Sequence, residues 1–257
     1  MHTRTLRVAG IGLAASSLLL ATACGGAADA EEKSAAKKTP ARTATATPTP
    51  KPAAPLTQRQ AESALLTVQD MPTGWSKDNE MSSSDAGPGE FSAGRADKKQ
   101  CQFLLDGVVG SEKGPKPQNT GLIAFTKSQE GPFLLNGVTA YAEAEATALI
   151  KARPVPETCR TFRAELEGDK VTVNFEDLSV PKAGQDSQGV RLKLESEDPE
   201  MPVLQYDVAN ARVGGAIVTV MEISFTKADV QAFSESFTKA VAKAEKITKA
   251  GPGGRNV

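Results

Sequence analysis

Val213-Gly214-Gly215-Ala216-Ile217-Val218-Thr219-Val220-Met221-Glu222-Ile223-Ser224-Phe225 is the stretch on which the fold turns. Gly214-Gly215 has the composition of a two-residue hairpin turn. It joins two strands instead of opening a helix, so it is no phosphate loop. Ile217 to Phe225 is nearly continuous apolar sequence, the pattern of a central strand covered on both faces. The period then changes. Thr226 is expected to cap a long helix reaching about Lys246, with Val230, Phe233, Phe237, Val241 and Ala244 on one apolar stripe.

Upstream, alternation dominates. Val171, Val173 and Phe175 alternate with polar residues, as do Val190, Leu192 and Leu194, and then Leu204, Tyr206 and Val208. Each set predicts a half-buried strand. Gly121 to Thr126 and Pro132 to Tyr141 read as two more, joined through Lys127 to Gly131 as a hairpin. Helices are expected from about Gln58 to Gln69, from Ala96 to Val108, over Ala142 to Lys151, and from Glu157 to Leu166. The first has Thr57 and Gln60 as a capping box and Ala61, Ala64, Leu65 and Val68 on its buried face. Met71-Pro72-Thr73-Gly74 ends it, and Trp75, the only tryptophan, is read as a core anchor. Ser76 to Arg95 reads as a long loop that has room for one short strand. Together these predict a single α+β domain: a mostly antiparallel sheet of about six strands, packed helices and a long C-terminal helix.

The amino terminus sets a location. Arg4 and Arg7 precede an apolar or small stretch from Val8 to Ala23, short for a spanning helix and right for a signal segment. Leu20-Ala21-Thr22-Ala23-Cys24-Gly25-Gly26 then has the form of a lipoprotein cleavage site. Residues 1–23 are expected to be removed and Cys24 to be lipidated, as in bacterial lipoproteins, where the cysteine carries a diacylglyceryl group. Stable anchoring takes more than one acyl chain. Residues 24–55 read as a disordered tether rich in Ala, Thr and Pro, with Pro40, Pro48, Pro50, Pro52 and Pro55 excluding a helix. In extended form it reaches up to ~95 Å. Its alternating threonines, Thr43 to Thr49, are candidate O-glycosylation acceptors. The folded domain is assigned to residues 56–250, and residues 251–257 to a tail.

Composition narrows the chemistry. Loss of Arg4 and Arg7 leaves 28 basic residues against 31 acidic ones, a formal charge near -3. That balance gives no footprint for nucleic acid. The one histidine, His2, lies in the signal segment. A mature chain without histidine excludes Ser-His-Asp and Cys-His hydrolysis, most zinc sites and most redox-metal sites. No catalytic residue, metal or cofactor is assigned. Cys101 and Cys159 are an even pair outside the cytoplasm, most simply a disulfide closing a loop of about 59 residues; two free thiols are the alternative. The acidic run Glu195-Ser196-Glu197-Asp198-Pro199-Glu200 lacks EF-hand spacing and reads as a solvated hairpin tip. Ser82-Ser83-Ser84 has no base near it in sequence.

The residues Leu65-Leu66-Thr67 and Asp70-Met71-Pro72-Thr73-Gly74-Trp75 resemble the start of the sensor-type domain of actinobacterial lipoproteins. That domain is similar to the extracellular sensor of mycobacterial receptor Ser/Thr kinases of the H type. Cys159-Arg160-Thr161-Phe162, and Pro181 with Gly184-Gln185-Asp186-Ser187, fit it too. The resemblance spans about Leu56 to Lys246. It implies an antiparallel sheet with helices and a cleft for an unidentified ligand, with no ligand-binding residue carried over. The kinase sensors have two disulfides, whereas this chain can form one. Three functional classes follow as expectations: a lipid-anchored ligand-binding or sensing module whose partner is a small molecule or envelope protein, a pocketless scaffold for envelope proteins, and a carboxylate-based wall hydrolase.

Overall fold

The computed structural model describes residues 54–82, 94–109, 115–151, 155–166, 168–225 and 227–251. The signal segment, Cys24, the tether up to residue 53, Ser83, Ser84, Thr226 and the tail from residue 252 lie outside them.

Where side chains alternate, strands form. In chain order these are β1 (Ser76–Asp78), β2 (Arg95–Ala96), β3 (Asn119–Thr126), β4 (Phe133–Ala140), β5 (Thr161–Leu166), β6 (Asp169–Asp177), β7 (Asp186–Ser196), β8 (Leu204–Val213) and β9 (Ala216–Ser224). They make one sheet in the order β1-β3-β4-β9-β8-β7-β6-β5-β2, antiparallel at every pair. The described sheet therefore has nine strands, not about six. β9 is an interior strand, fourth of the nine and paired to β4 and β8, as its apolar run predicts. The turn before it is a tight one: Gly214 has φ +60°, and a side chain on Gly215 would meet the Tyr141 carbonyl at 2.6 Å.

The helices α1 (Gln58–Ser63), α2 (Gln102–Val109), α3 (Glu143–Ile150) and α4 (Val230–Ala250) complete the fold. α4 lies on one face of the sheet. Its Ala232, Phe233, Phe237, Ala240, Val241 and Ala244 are buried against Leu134, Val138, Ala209, Ala211, Val218 and Val220. Each large side chain so buried contributes roughly 1.5–3 kcal/mol. Leu56, Ala61, Ala64, Leu66, Met71 and Trp75 join this layer. The opposite face carries a second core. There Cys101, Leu104, Leu105 and Cys159 pack with Phe162, Val173, Phe175, Leu192, Tyr206, Met221 and Ile223. Sheet alternation assigns neighbouring residues to the two layers, Val220 to the first and Met221 to the second.

Four local expectations are corrected. Glu157 to Leu166 is not a helix: a 3-10 turn at Glu157–Cys159 leads into β5, whose Phe162 and Ala164 alternate inward. Pairing to β6 overrides the helix propensity of Arg163, Ala164, Glu165 and Leu166. Ala96 to Val108 starts as the last residue of β2 and a 3-10 turn before α2. α1 keeps its capping box, with Gln60 N–H donating to Thr57 Oγ1 at 3.3 Å and Thr57 N–H to Gln60 Oε1 at 3.0 Å. It ends at Ser63, because Leu66 N–H donates to the buried Asn136 side chain at 2.9 Å and draws the chain across β4. Leu65 is therefore half-buried and Val68 exposed. The cap of α4 is Asp229, whose Oδ1 accepts from Ala232 N–H at 3.1 Å, and Val230 is 60% exposed outside the stripe.

Candidate functional site: a polar trough on the open half of the sheet

α4 covers β4, β9 and β8 but not β7, β6 and β5. Alternation still points every second residue of those strands toward the α4 side. With no helix above them these positions are polar, and pairing aligns them in rows. One row is Glu222 (β9), Asp207 (β8), Arg191 (β7) and Glu176 (β6). The next is Ser224, Gln205, Lys193, Asn174 and Thr161, across β9, β8, β7, β6 and β5. Residues paired this way share a face and touch.

The buried end of the first row is an ion cluster. Asp207 is 2% exposed and Glu222 1%. Arg191 clamps Asp207 in a bidentate pair, Nε to Oδ1 at 2.6 Å and Nη2 to Oδ2 at 2.5 Å. Gln205 Nε2 adds a bond to Oδ1 at 3.1 Å. The pair holds the Arg191 guanidinium above its ordinary pKa. Glu222 Oε1 accepts the Asp229 backbone N–H at 2.6 Å, while Oε2 is buried without a partner among the described residues. Burial pushes the Glu222 carboxyl up to about 7, with the Asp207 and Asp229 carboxylates acting in the same direction. Asp229 itself is held below the usual carboxylate range, chiefly by its bond from Lys127 Nζ at 2.9 Å.

A raised carboxyl pKa has a definite sign in stability. Glu222 is protonated alike in folded and unfolded chains well below pH 4.5. As pH rises toward 7 the unfolded chain ionises first, and the folded state loses stability through that window. The loss is about 2–3 kcal/mol. Glu222→Gln keeps the acceptor for Asp229 and has no proton to lose. Urea unfolding of the variant is expected to give equal stability at pH 5 and pH 8 over this group's range, and a gain over the parent at pH 8. A parent whose stability difference between the two pH values survives in the variant excludes Glu222 as the source.

Beyond the cluster the rows open into a trough of about 580 Å³, with Arg160, Thr161, Asn174, Glu176, Lys193 and Glu195 among its walls. Its groups are already cross-linked. Arg160 bonds Asp177 at 2.7 Å, Lys193 bonds Glu176 at 3.0 Å, Thr161 Oγ1 donates to Asn174 at 2.9 Å, and Asn174 Nδ2 donates to Glu195 at 3.2 Å. The Asp177 bond raises the Arg160 guanidinium above its usual pKa. Such a surface presents donors and acceptors; among the described residues it aligns no nucleophile with a base.

The sequence-assigned residues fall elsewhere. Cys24 lies outside the described residues. Cys101 and Cys159 are joined, with Cα atoms 5.4 Å apart, on the disulfide face and not in the trough. Trp75 is a core residue at 5% exposure, its indole N–H unpartnered among the described residues. Ser82 stitches β1 to β3, accepting from Ala124 N–H at 2.9 Å and donating to the Asp78 carbonyl. The acidic run forms the β7–β8 hairpin tip, where Asp198 N–H bonds Ser196 Oγ and Glu200 N–H bonds Asp198 Oδ1. Its first residue, Glu195, belongs to the trough. Asp207, Arg191 and Glu222 escape a reading by motif. One signal pointed to them: Glu222 is the sole charge between Val213 and Phe225.

No helix among the described residues is long and apolar enough to cross a membrane. No protein-family profile matches this sequence, and no curated protein matches it either. Solved structures of similar shape include two from mycobacteria. One is the extracellular domain of PknH from Mycobacterium tuberculosis, at 12% identity and a TM-score of 0.45, covering 76% of this chain and 98% of that one. The other is a putative uncharacterized protein of Mycobacterium smegmatis, the Rv0999 ortholog, at 14% identity and a TM-score of 0.41, covering 60% of this chain and 77% of that one.

Proposed function

We propose that the protein is a lipid-anchored, extracytoplasmic binding or sensing module of the cell envelope, tethered through Cys24 and acting without catalysis. The observation that carries the binding role is the trough. It is an open, hydrogen-bond-rich depression of about 580 Å³ on paired strands β5, β6 and β7, within the size range of small-ligand sites. The Cys101–Cys159 bond supports the compartment, since disulfides persist where the surroundings are oxidising. The signal segment, Cys24 and the proline-rich spacer support the anchor. Radiolabelled palmitate is expected to enter the full chain, and Cys24→Ser to abolish labelling and release the protein from membranes. An unlabelled parent, or a variant that stays membrane-bound, overturns the anchor.

A second reading, a scaffold for envelope proteins, draws on exposed apolar side chains at one end of the sheet. Met201, Val203 and Phe225 are 58%, 46% and 40% exposed around the ends of β8 and β9. Copurification of a protein partner from membranes, lost on Val203→Asp, favours that reading over a small-molecule ligand.

A further inference from the structure

We propose that the trough binds a neutral oligosaccharide chain laid across strands β5 to β7. This inference rests on the binding-module reading above and names its ligand class. Three features of the trough select the class. The first is charge. Glu157, Glu176, Asp177 and Glu195 line it against Arg160 and Lys193, and both cations are already engaged by carboxylates. A phosphorylated or carboxylated ligand meets four like charges and, among the described lining residues, no cation without a carboxylate partner.

The second feature is the lack of an apolar wall. Among the described lining residues Phe175 is the one apolar side chain, and it packs in the opposite core. A lipid tail finds nothing there to bury against. The third is the density of paired donors and acceptors. Lys193 uses one of three N–H donors on Glu176, and among the described residues Glu195 accepts only from Asn174. A sugar hydroxyl both donates and accepts, so it inserts into such pairs without leaving either member unsatisfied. Adjacent hydroxyls on a ring match the two oxygens of one carboxylate or the N–H and C=O of one amide.

Spacing adds a geometric fit. Thr161, Asn174 and Lys193 stand in one row on three neighbouring strands. Strands lie ~4.8 Å apart, so the row runs about 10 Å, with a polar side chain at each step. That step is of the order of one pyranose ring along a chain. The row therefore offers a contact per ring.

The test uses the full chain in a sugar-free zwitterionic detergent and calorimetric titration. Maltopentaose, chitopentaose and an arabinopentaose are the neutral probes; inositol hexakisphosphate and dodecanoate are the anionic and apolar ones. Saturable binding of at least one pentaose is expected, weakened at least tenfold by Asn174→Ala and by Lys193→Ala. Both variants alter trough side chains and are expected to keep the parental melting temperature. Cosedimentation with protein-free insoluble wall glycan, set against soluble pentaose binding alone, separates a wall polymer from a free oligosaccharide as the source. Binding of the phosphate or the fatty acid instead, lost in the same variants, overturns the ligand class and leaves the binding module standing. Failure of every pentaose, or pentaose binding unchanged by both variants, overturns the site, while palmitate labelling at Cys24 reports on the anchor independently.

Discussion

Arg191→Ala is expected to lower the stability of the folded chain by about 4 kcal/mol at pH 7.5. The reason is the company Arg191 keeps. Its guanidinium is the one cation bonded to Asp207 among the described residues, and Asp207 lies on the same row as Glu222. Both carboxyls are almost wholly buried. Removing the cation leaves two acids side by side in a low-dielectric layer, with Gln205 as the remaining donor to Asp207. The bond lost is worth far less than the charge stranded by its loss. Arg191 keeps 23% of its side chain exposed, so water enters the gap and holds the cost below the extreme for a sealed ion pair.

Two companion measurements separate this account from a loss of packing. At pH 5 the deficit is expected to shrink, because Glu222 takes up a proton below its raised pKa of about 7 and ceases to oppose Asp207. The double variant Arg191→Met with Asp207→Leu removes both charges and keeps the volume. It is expected to recover to within about 1 kcal/mol of the parent, as apolar replacements of buried pairs do. Guanidinium titrations read all three. An Arg191→Ala protein within about 1 kcal/mol of the parent at pH 7.5 refutes the cluster as an electrostatic unit.

That cluster also shows where sequence reading stops. Strand, turn and helix were legible wherever a period ran for several residues: the alternation of Val171 to Phe175, the Gly214-Gly215 turn, the run from Ile217 and the Phe233–Phe237–Val241 stripe. β1 and β2, of three and two residues, are too short to carry a period, and they exist because a neighbouring strand offers an edge. β5 was hidden by residues that favour a helix in isolation. The trough was hidden for a different reason. Thr161, Asn174 and Lys193 are distant in sequence, and each looks like the solvent side of its own strand. Register alone brings them into a row, and no single strand contains the register. Cys101 and Cys159, by contrast, needed only a compartment and a count of two.

Removing the disulfide by the double change Cys101→Ala with Cys159→Ala is expected to cost about 4 kcal/mol, the chain-entropy value for bridging residues 58 apart. Topology says where the loss falls. From β2 and α2, at one edge of the sheet, the chain crosses to β3 and β4 near the other edge and returns through α3 to β5. Cys101 and Cys159 tie the outgoing segment to the returning one. Without the bridge β2 is held to β5 by two paired residues, by Asp97 N–H on the Arg163 carbonyl at 2.9 Å, and by Lys98 Nζ on the Thr158 and Thr161 carbonyls. These exposed bonds are individually weak. Residues 95–106 are therefore expected to open locally, uncovering the edge of β5 and the buried Phe162. Hydrogen exchange should rise throughout the sheet as global stability falls, and further across β2 and β5, which also open locally under native conditions. Uniform acceleration throughout the sheet argues instead that the bridge acts on the unfolded chain alone. An unchanged unfolding midpoint after full reduction removes the disulfide as a structural element.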